Sequence, residues 1–229
     1  MRVRPVVAID GPAGAGKSTI ARQLAARLGF TLVDTGALYR AVALASRIAG
    51  VAWDDDAGVA AVAQHLAASR LLALRADPDR GIRVMLSGED VSEAIRAPDM
   101  GMGASRVSAI GAVREALFQL QRAAGEEGGV VLEGRDIGTV VFPDAEVKFF
   151  LTASPEVRAK RRYQELLERG EVVEYARILE EVRTRDHQDT TRAIAPLRQA
   201  DDAVVIDSSS RTIDDVVSEM ADRVSAGAP

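Results

Sequence analysis

The octapeptide Gly11-Pro12-Ala13-Gly14-Ala15-Gly16-Lys17-Ser18 constrains this chain more than any other feature. It follows Val6 to Asp10, a short β-branched-rich run that reads as a strand. It precedes Ser18 to Leu28, where Ile20, Leu24 and Leu28 share one helical face and Gly29 is the stop. A glycine-rich turn of the form G-x-x-x-x-G-K-S between a strand and a helix lets backbone N–H groups curl around a phosphate. The helix behind it turns its unpaired N–H groups and positive dipole end toward the same anion. Gly11, Pro12, Ala13, Gly14, Ala15, Gly16, Lys17, Ser18 and Thr19 are therefore expected to bind the phosphates of a nucleotide. Lys17 is expected to reach the β and γ phosphates, and Ser18 to take a Mg²⁺ position.

The alternation of strand and helix continues. Thr31 to Asp34 reads as a second strand and Ala37 to Ile48 as its helix, and Asp54-Asp55-Asp56 can cap an Ala-rich helix to about Ser69. The pattern then changes. Leu71 to Arg75 and Ile82 to Leu86 flank the turn Asp77-Pro78-Asp79-Arg80-Gly81, a β-hairpin inserted into the alternating fold, and Ser87 to Asp99 reads as irregular or partly helical. A helix is expected from about Ser105 to Ala124. Val130 to Leu132 and Val147 to Leu151 are almost wholly apolar, as strands covered on both faces of a parallel sheet are. Further helices are expected from Ser154, with Pro155 in its first turn, to near Gly170, and from Val173 to Thr191. Ala203 to Asp207 is a last buried strand, and Thr212-x-x-Asp215 resembles a capping box. Five parallel-type strands alternating with helices predict a three-layer α/β fold of the P-loop kind, with the hairpin region as a small lobe.

Composition narrows the function. There is no cysteine among 229 residues, which excludes a disulfide framework, a thiolate zinc site and a cysteine nucleophile. His65 and His187 have no second histidine at ligand spacing, so neither is expected to hold a metal. A net charge of −5 and only nine aromatic residues argue against nucleic acid and anionic membranes as partners. No apolar run approaches a membrane span, and the short one before Asp10 is too brief for a signal peptide, so a cytoplasmic protein is expected. The chain lacks an Asn-Lys-x-Asp guanine-reading motif and a hydrophobic run ending in Asp-Glu. That leaves small-substrate kinases as the main class, with a non-catalytic nucleotide-dependent regulatory module still open.

A kinase whose acceptor is itself a phosphate needs a second anion site, for which the planar fork of arginine is suited. Of the 29 cationic residues 26 are arginine, a bias that a G/C-rich genome would also produce, so each must be argued by place. Asp34-Thr35-Gly36-Ala37-Leu38-Tyr39-Arg40 and Glu133-Gly134-Arg135-Asp136 follow presumed parallel strands, at the edge where open α/β sheets bind ligands. Thr190-Thr191-Arg192 ends a helix. Arg158, Arg161 and Arg162 lie at i, i+3 and i+4 on one helix.

Taken in order, GPAGAGKS, DTGALYR, SGEDVS, EGRDIGTVVFPDA and RAIAPL resemble the bacterial cytidylate kinase family, over about residues 5–220. The resemblance implies an ATP:(d)CMP phosphotransferase acting on MgATP. Its core would be residues 1–61, 104–153 and 171–229, with a CMP-binding insert at about 62–103 and a lid at about 154–170. By position, Arg40, Arg135 and Arg192 would grip the CMP phosphate, with Thr35 and Tyr39 in the same motif as Arg40. Ser105, Arg114 and Asp136 would read cytosine, and Asp189, held by Arg185, would meet the ribose. The plain alternatives are a solvated Arg114 and an Asp136 that only braces Arg135. Lys17, Arg135, Arg158 and Arg162 would serve catalysis and Arg161 the ATP site. Glu133 stands where the family often has Asp. Ser18 is then the one protein metal contact expected, with Asp10 and Asp34 as more distant candidates. ATP and CMP or dCMP are the expected partners of a monomer.

Overall fold

In the computed structural model, which describes residues 2–77 and 81–227, the chain runs β1 (Val6–Asp10), α1 (Lys17–Leu28), β2 (Thr31–Asp34), α2 (Thr35–Ile48), α3 (Asp56–Ala68), β3 (Leu72–Asp77), β4 (Gly81–Leu86), β5 (Glu89–Asp90), α4 (Met100–Val107), α5 (Gly111–Ala123), β6 (Val130–Gly134), β7 (Val147–Thr152), α6 (Pro155–Glu168), α7 (Tyr175–Thr191), β8 (Val204–Asp207) and α8 (Ile213–Ser225). A 3-10 turn, Ala94–Arg96, precedes α4, and a π-type turn, Ile137–Val141, follows β6. The chain divides into two units, one made of residues up to Phe30 and from Gly129 onward, the other of Thr31 to Gly128.

In the first unit β1 pairs on both edges in parallel, with β6 from Val6↔Val130 to Asp10↔Gly134 and with β7 from Val7↔Val147 to Asp10↔Phe150. β7 pairs in parallel with β8 from Phe149↔Val204 to Thr152↔Asp207. A strand enclosed in this way has no place for a polar side chain until it ends. Val6, Val7, Ala8 and Ile9 are accordingly all 0% exposed, and the first acid, Asp10, comes at the carboxyl end. With β2 the parallel sheet numbers five strands, so the expected α/β P-loop fold is present. α1 packs on α8, and α6 on α7.

The helix starts follow local chemistry. Asp55 Oδ1 accepts from Gly58 N at 3.0 Å, Ser154 Oγ from Val157 N at 3.3 Å, and Thr212 Oγ1 from Asp215 N at 3.2 Å, each satisfying an N–H that the first helical turn leaves open. α2 begins at Thr35, two residues before the expected Ala37, because Asp34 is its cap and accepts from Ala37 N at 3.2 Å.

In the second unit α2 is buried over most of its length against α3, α4 and β4, in a core that includes Leu38, Val42, Val59, Met100, Val113 and Leu117. α4 comes close because Gly103 has no side chain: a Cβ there would lie 2.8 Å from Trp53 and 2.9 Å from Ala43 Cβ. The expected hairpin is β3–β4, paired from Leu72↔Leu86 to Asp77↔Gly81; Pro78, Asp79 and Arg80 of its turn lie outside the described residues.

Two expectations for this unit are corrected. The segment from Ser105 to Ala124 is not one helix. α4 ends at Val107 and α5 starts at Gly111, with Ile110 extended between them at φ −82° and ψ 116°. The break redirects α5 so that Val113 and Leu117 reach the core, and Gly111, a weak helix former, was the local sign of it. The stretch Ser87 to Asp99 also holds a third strand, β5. Its pairing with β4 is backed by Ser92 Oγ, which accepts from Val84 N at 2.9 Å. Two residues are too few for an alternation signal.

Candidate active site

The phosphate loop is shaped by three glycines in the left-handed region, Gly11 at φ 151°, Gly14 at 76° and Gly16 at 90°. Gly11 is the most demanding, since a Cβ on it would lie 1.9 Å from Leu151 O, inside the backbone of β7. Lys17, the first residue of α1, is 7% exposed, and its Nζ donates to Pro12 O at 2.8 Å. Burial holds the Lys17 ammonium well below its ordinary pKa. The charges of Arg135 and Arg185 push the same way, while Glu133 and Asp10 oppose them. A buried cation among cations is a site organised for an anion.

Ser18 Oγ donates to Glu133 Oε2 at 2.9 Å, and Glu133, on β6, is 4% exposed. Asp10 lies 4% exposed at the end of β1 and accepts from Ile137 N at 2.8 Å and Gly138 N at 2.7 Å. It thereby anchors the turn that follows Arg135 and Asp136, a role that its place in the sequence alone did not reveal. Among the described residues no group of three or more His, Cys, Asp or Glu is set to hold a metal ion.

Burial pushes the Asp10 carboxyl up to about 6 from 3.8, against the two backbone hydrogen bonds. Because the folded-state value is the higher one, Asp10 favours folding fully below about pH 4, and that contribution is lost as pH rises through about 6. The loss amounts to roughly 3 kcal/mol for a shift of about two units. Asp10→Asn removes the titration and is expected to flatten the fall in stability between pH 4 and 7 by about that amount. Urea unfolding of both proteins across this range checks it; parallel pH profiles would show that Asp10 does not titrate there.

Several candidate arginines of the first unit are already engaged. Arg135 Nε donates to Asp189 Oδ2 at 3.0 Å and its Nη1 to Gly134 O at 3.2 Å. Asp189, 6% exposed on α7, is thus a partner of Arg135. Arg185, on the same helix, is near enough for its charge to depress Lys17, and Asp136, 4% exposed, is near enough to Asp10 to raise it. Arg192 Nε donates to Ala195 O, and Leu197 N to Asp189 O at 2.7 Å, folding the segment after α7 back on the helix end. The three α6 arginines differ in surroundings. Arg158 is 3% exposed and bound to Asp186, Arg161 donates to Ser208 Oγ and O at 3.2 and 2.7 Å, and Arg162 pairs with Glu165 at 3.0 Å on a solvated face.

The second unit carries Thr35, Tyr39 and Arg40 on α2, Ser105 on α4 and Arg114 on α5. Arg40 pairs with Asp34, and its Nε is buried without a hydrogen-bond partner. The Arg114 guanidinium stands 5.5 Å from the Tyr39 ring centre, and its Nη1 donates to Ser108 O at 3.3 Å. Tyr39 Oη accepts from the buried Gln121 Nε2 at 3.3 Å. Arg114, at 9% exposed, is therefore a packed group rather than a solvated one. Thr35 is buried at the start of α2, and Ser105 is half-buried.

A strand, glycine loop and helix that hold a buried lysine at the carboxyl edge of a parallel sheet define a P-loop nucleotide-binding protein. The sequence model described as cytidylate kinase matches residues 7–226. The chain is 53% identical over 223 residues to a cytidylate kinase of Pelotomaculum thermopropionicum, with 97% of each chain covered. It is 49% identical to one of Stutzerimonas stutzeri, with 97% of this chain and 98% of the other covered. Its fold is similar to that of an uncharacterized protein from Eubacterium ventriosum, with a TM-score of 0.51 at 15% identity over 97% of this chain and 99% of the other. The chain belongs to the cytidylate kinase family. It is accordingly an ATP-dependent kinase that phosphorylates CMP or dCMP.

Proposed function

We propose that this transfer proceeds by positioning and charge neutralisation, with the donor phosphates in the loop Gly11 to Thr19 and Lys17 on the γ-phosphoryl group. The observation that carries this reading is Lys17 itself, 7% exposed at the first position of α1 with its Nζ held on Pro12 O of the glycine loop at 2.8 Å, where phosphate oxygens would relieve its burial. An oxygen of the CMP phosphate attacks the γ phosphorus, the bond to the β-phosphate oxygen breaks, and ADP leaves with CDP or dCDP as product. No covalent enzyme intermediate is needed.

Ser18 Oγ is a hard oxygen ligand of the kind Mg²⁺ accepts and would hold it, with Glu133 Oε2, which accepts from that hydroxyl at 2.9 Å, orienting it. When bound, the ion neutralises charge on the β and γ phosphates. Arg135, Asp136, Arg185, Asp189 and Arg192 are the first unit's acceptor residues, and Thr35, Tyr39, Arg40, Ser105 and Arg114 those of the second. Cytosine offers a 4-amino donor, which suits the Asp136 carboxylate, and two acceptors, N3 and O2, which suit a guanidinium such as Arg114. Residues 154–170, which include α6, form the lid in this reading and residues 62–103 the CMP-binding insert. One chain carries every group the transfer uses, so a cytoplasmic monomer suffices.

ADP release from MgATP is the test, with CMP, dCMP, UMP, AMP and GMP as acceptors in turn. Turnover is expected with CMP and dCMP. UMP, whose 4-oxo oxygen faces a carboxylate, is expected to be ~10- to ~100-fold poorer in kcat/KM. Equal rates with CMP and UMP would remove Asp136 from base reading, and no ADP with any acceptor would overturn the activity itself.

A further inference from the structure

Arg158 is placed by sequence among cations that stabilise the transferring group, yet its donors are committed elsewhere. Its Nε donates to Ala153 O at 2.8 Å, its Nη1 to Ala13 O at 3.1 Å and to Asp186 Oδ1 at 2.8 Å, and its Nη2 to Asp186 Oδ2. These four bonds use four of the five N–H groups of a guanidinium. The stem is equally confined, since a Cβ on Gly14 would lie 3.2 Å from Arg158 Cβ. Arg158 thus ties the phosphate loop at Ala13 and Gly14 to the end of β7 and to α7. Leaving this place would break a bidentate ion pair and strand two carbonyls.

We propose that Asp186 is a positioning residue for the donor site. Its carboxylate holds both Nη groups of Arg158, and Arg158 in turn holds the Ala13 carbonyl, so the loop keeps the curve that receives the ATP phosphates. α7 carries its own comparison. Asp189, three residues on, bonds Arg135 at 3.0 Å and so serves the acceptor side. A substitution at residue 186 that merely loosened α7 would disturb the acceptor along with the donor, whereas a positioning role touches the donor alone.

The inference rests on assigning the loop to ATP and Arg135 to CMP. If Lys17→Ala leaves turnover intact, that assignment has failed, whatever position 186 shows. The test is steady-state kinetics of Asp186→Asn, which keeps the shape and removes the charge, well below its melting temperature. KM for ATP is expected to rise about tenfold, with KM for CMP within about twofold of wild type. Asp186→Glu, which restores the charge, is expected to recover part of the loss. Arg158→Lys keeps a cation but cannot span both Asp186 oxygens, and it decides the matter if the Asn variant does not fold; it is expected to raise KM for ATP in the same way. An unchanged KM for ATP in the Asn variant, or KM values for ATP and CMP that rise together, would overturn the proposal. So would an Arg158→Lys that loses kcat at unchanged KM for ATP, because Arg158 would then act on the reacting group directly.

Discussion

Lys17→Ala is expected to lower kcat by about a thousandfold while leaving the protein folded. The expectation follows from where the ammonium sits. It is 7% exposed at the first position of α1, bonded to Pro12 O at 2.8 Å, with Arg135 and Arg185 close enough to depress its pKa. Removing it from the free enzyme relieves burial and repulsion, so the urea midpoint should hold or rise. During transfer the same position faces the growing charge between the β and γ phosphates. Loss of one charged donor there costs roughly 4 kcal/mol of transition-state stabilisation. The loop N–H groups survive, so KM for ATP should move far less than kcat. Turnover within tenfold of wild type, in protein shown to be pure, would remove Lys17 from the mechanism.

The second large effect is expected at Arg135. Arg135→Met should reduce kcat/KM for CMP by ~100-fold or more and change KM for ATP by less than about threefold. Two losses combine. The acceptor phosphate loses a charge-assisted donor, and Asp189, 6% exposed, loses the guanidinium that its Oδ2 meets at 3.0 Å. Stranding that carboxylate costs about 1 to 3 kcal/mol in stability. Chemical unfolding should therefore show a lower midpoint alongside the kinetic defect, with Arg135→Lys between wild type and Met. Normal CMP kinetics in the Met variant would sink the acceptor assignment, and a defect confined to ATP would move Arg135 to the donor side.

Much of the fold was legible because its determinants are local. The apolar runs at Val6, Val130 and Val147 could be nothing but enclosed strands. Gly11, Gly14 and Gly16 marked a backbone only glycine adopts cheaply, and Asp55, Ser154 and Thr212 stood where a cap is needed. The break at Ile110 and the two-residue strand β5 were not legible, since both exist only because a neighbouring element packs against them.

For the site, the sequence by itself determined the phosphate loop and its lysine, since motif spacing carries that information along the chain, and it singled out Arg40, Arg135 and Arg192 by their places at strand and helix ends. Partnership was decided by the tertiary structure alone. Ser18 and Glu133 are 115 residues apart and Arg135 and Asp189 are 54 apart, while Arg158 and Asp186 face each other only because α6 packs on α7. With 26 arginines and 34 acids in the chain, composition permits a great many pairings. The choice among them belongs to burial: a guanidinium taken from water stays charged, so folding must deliver acceptors to most of its N–H groups or bear the cost of leaving them unpaired.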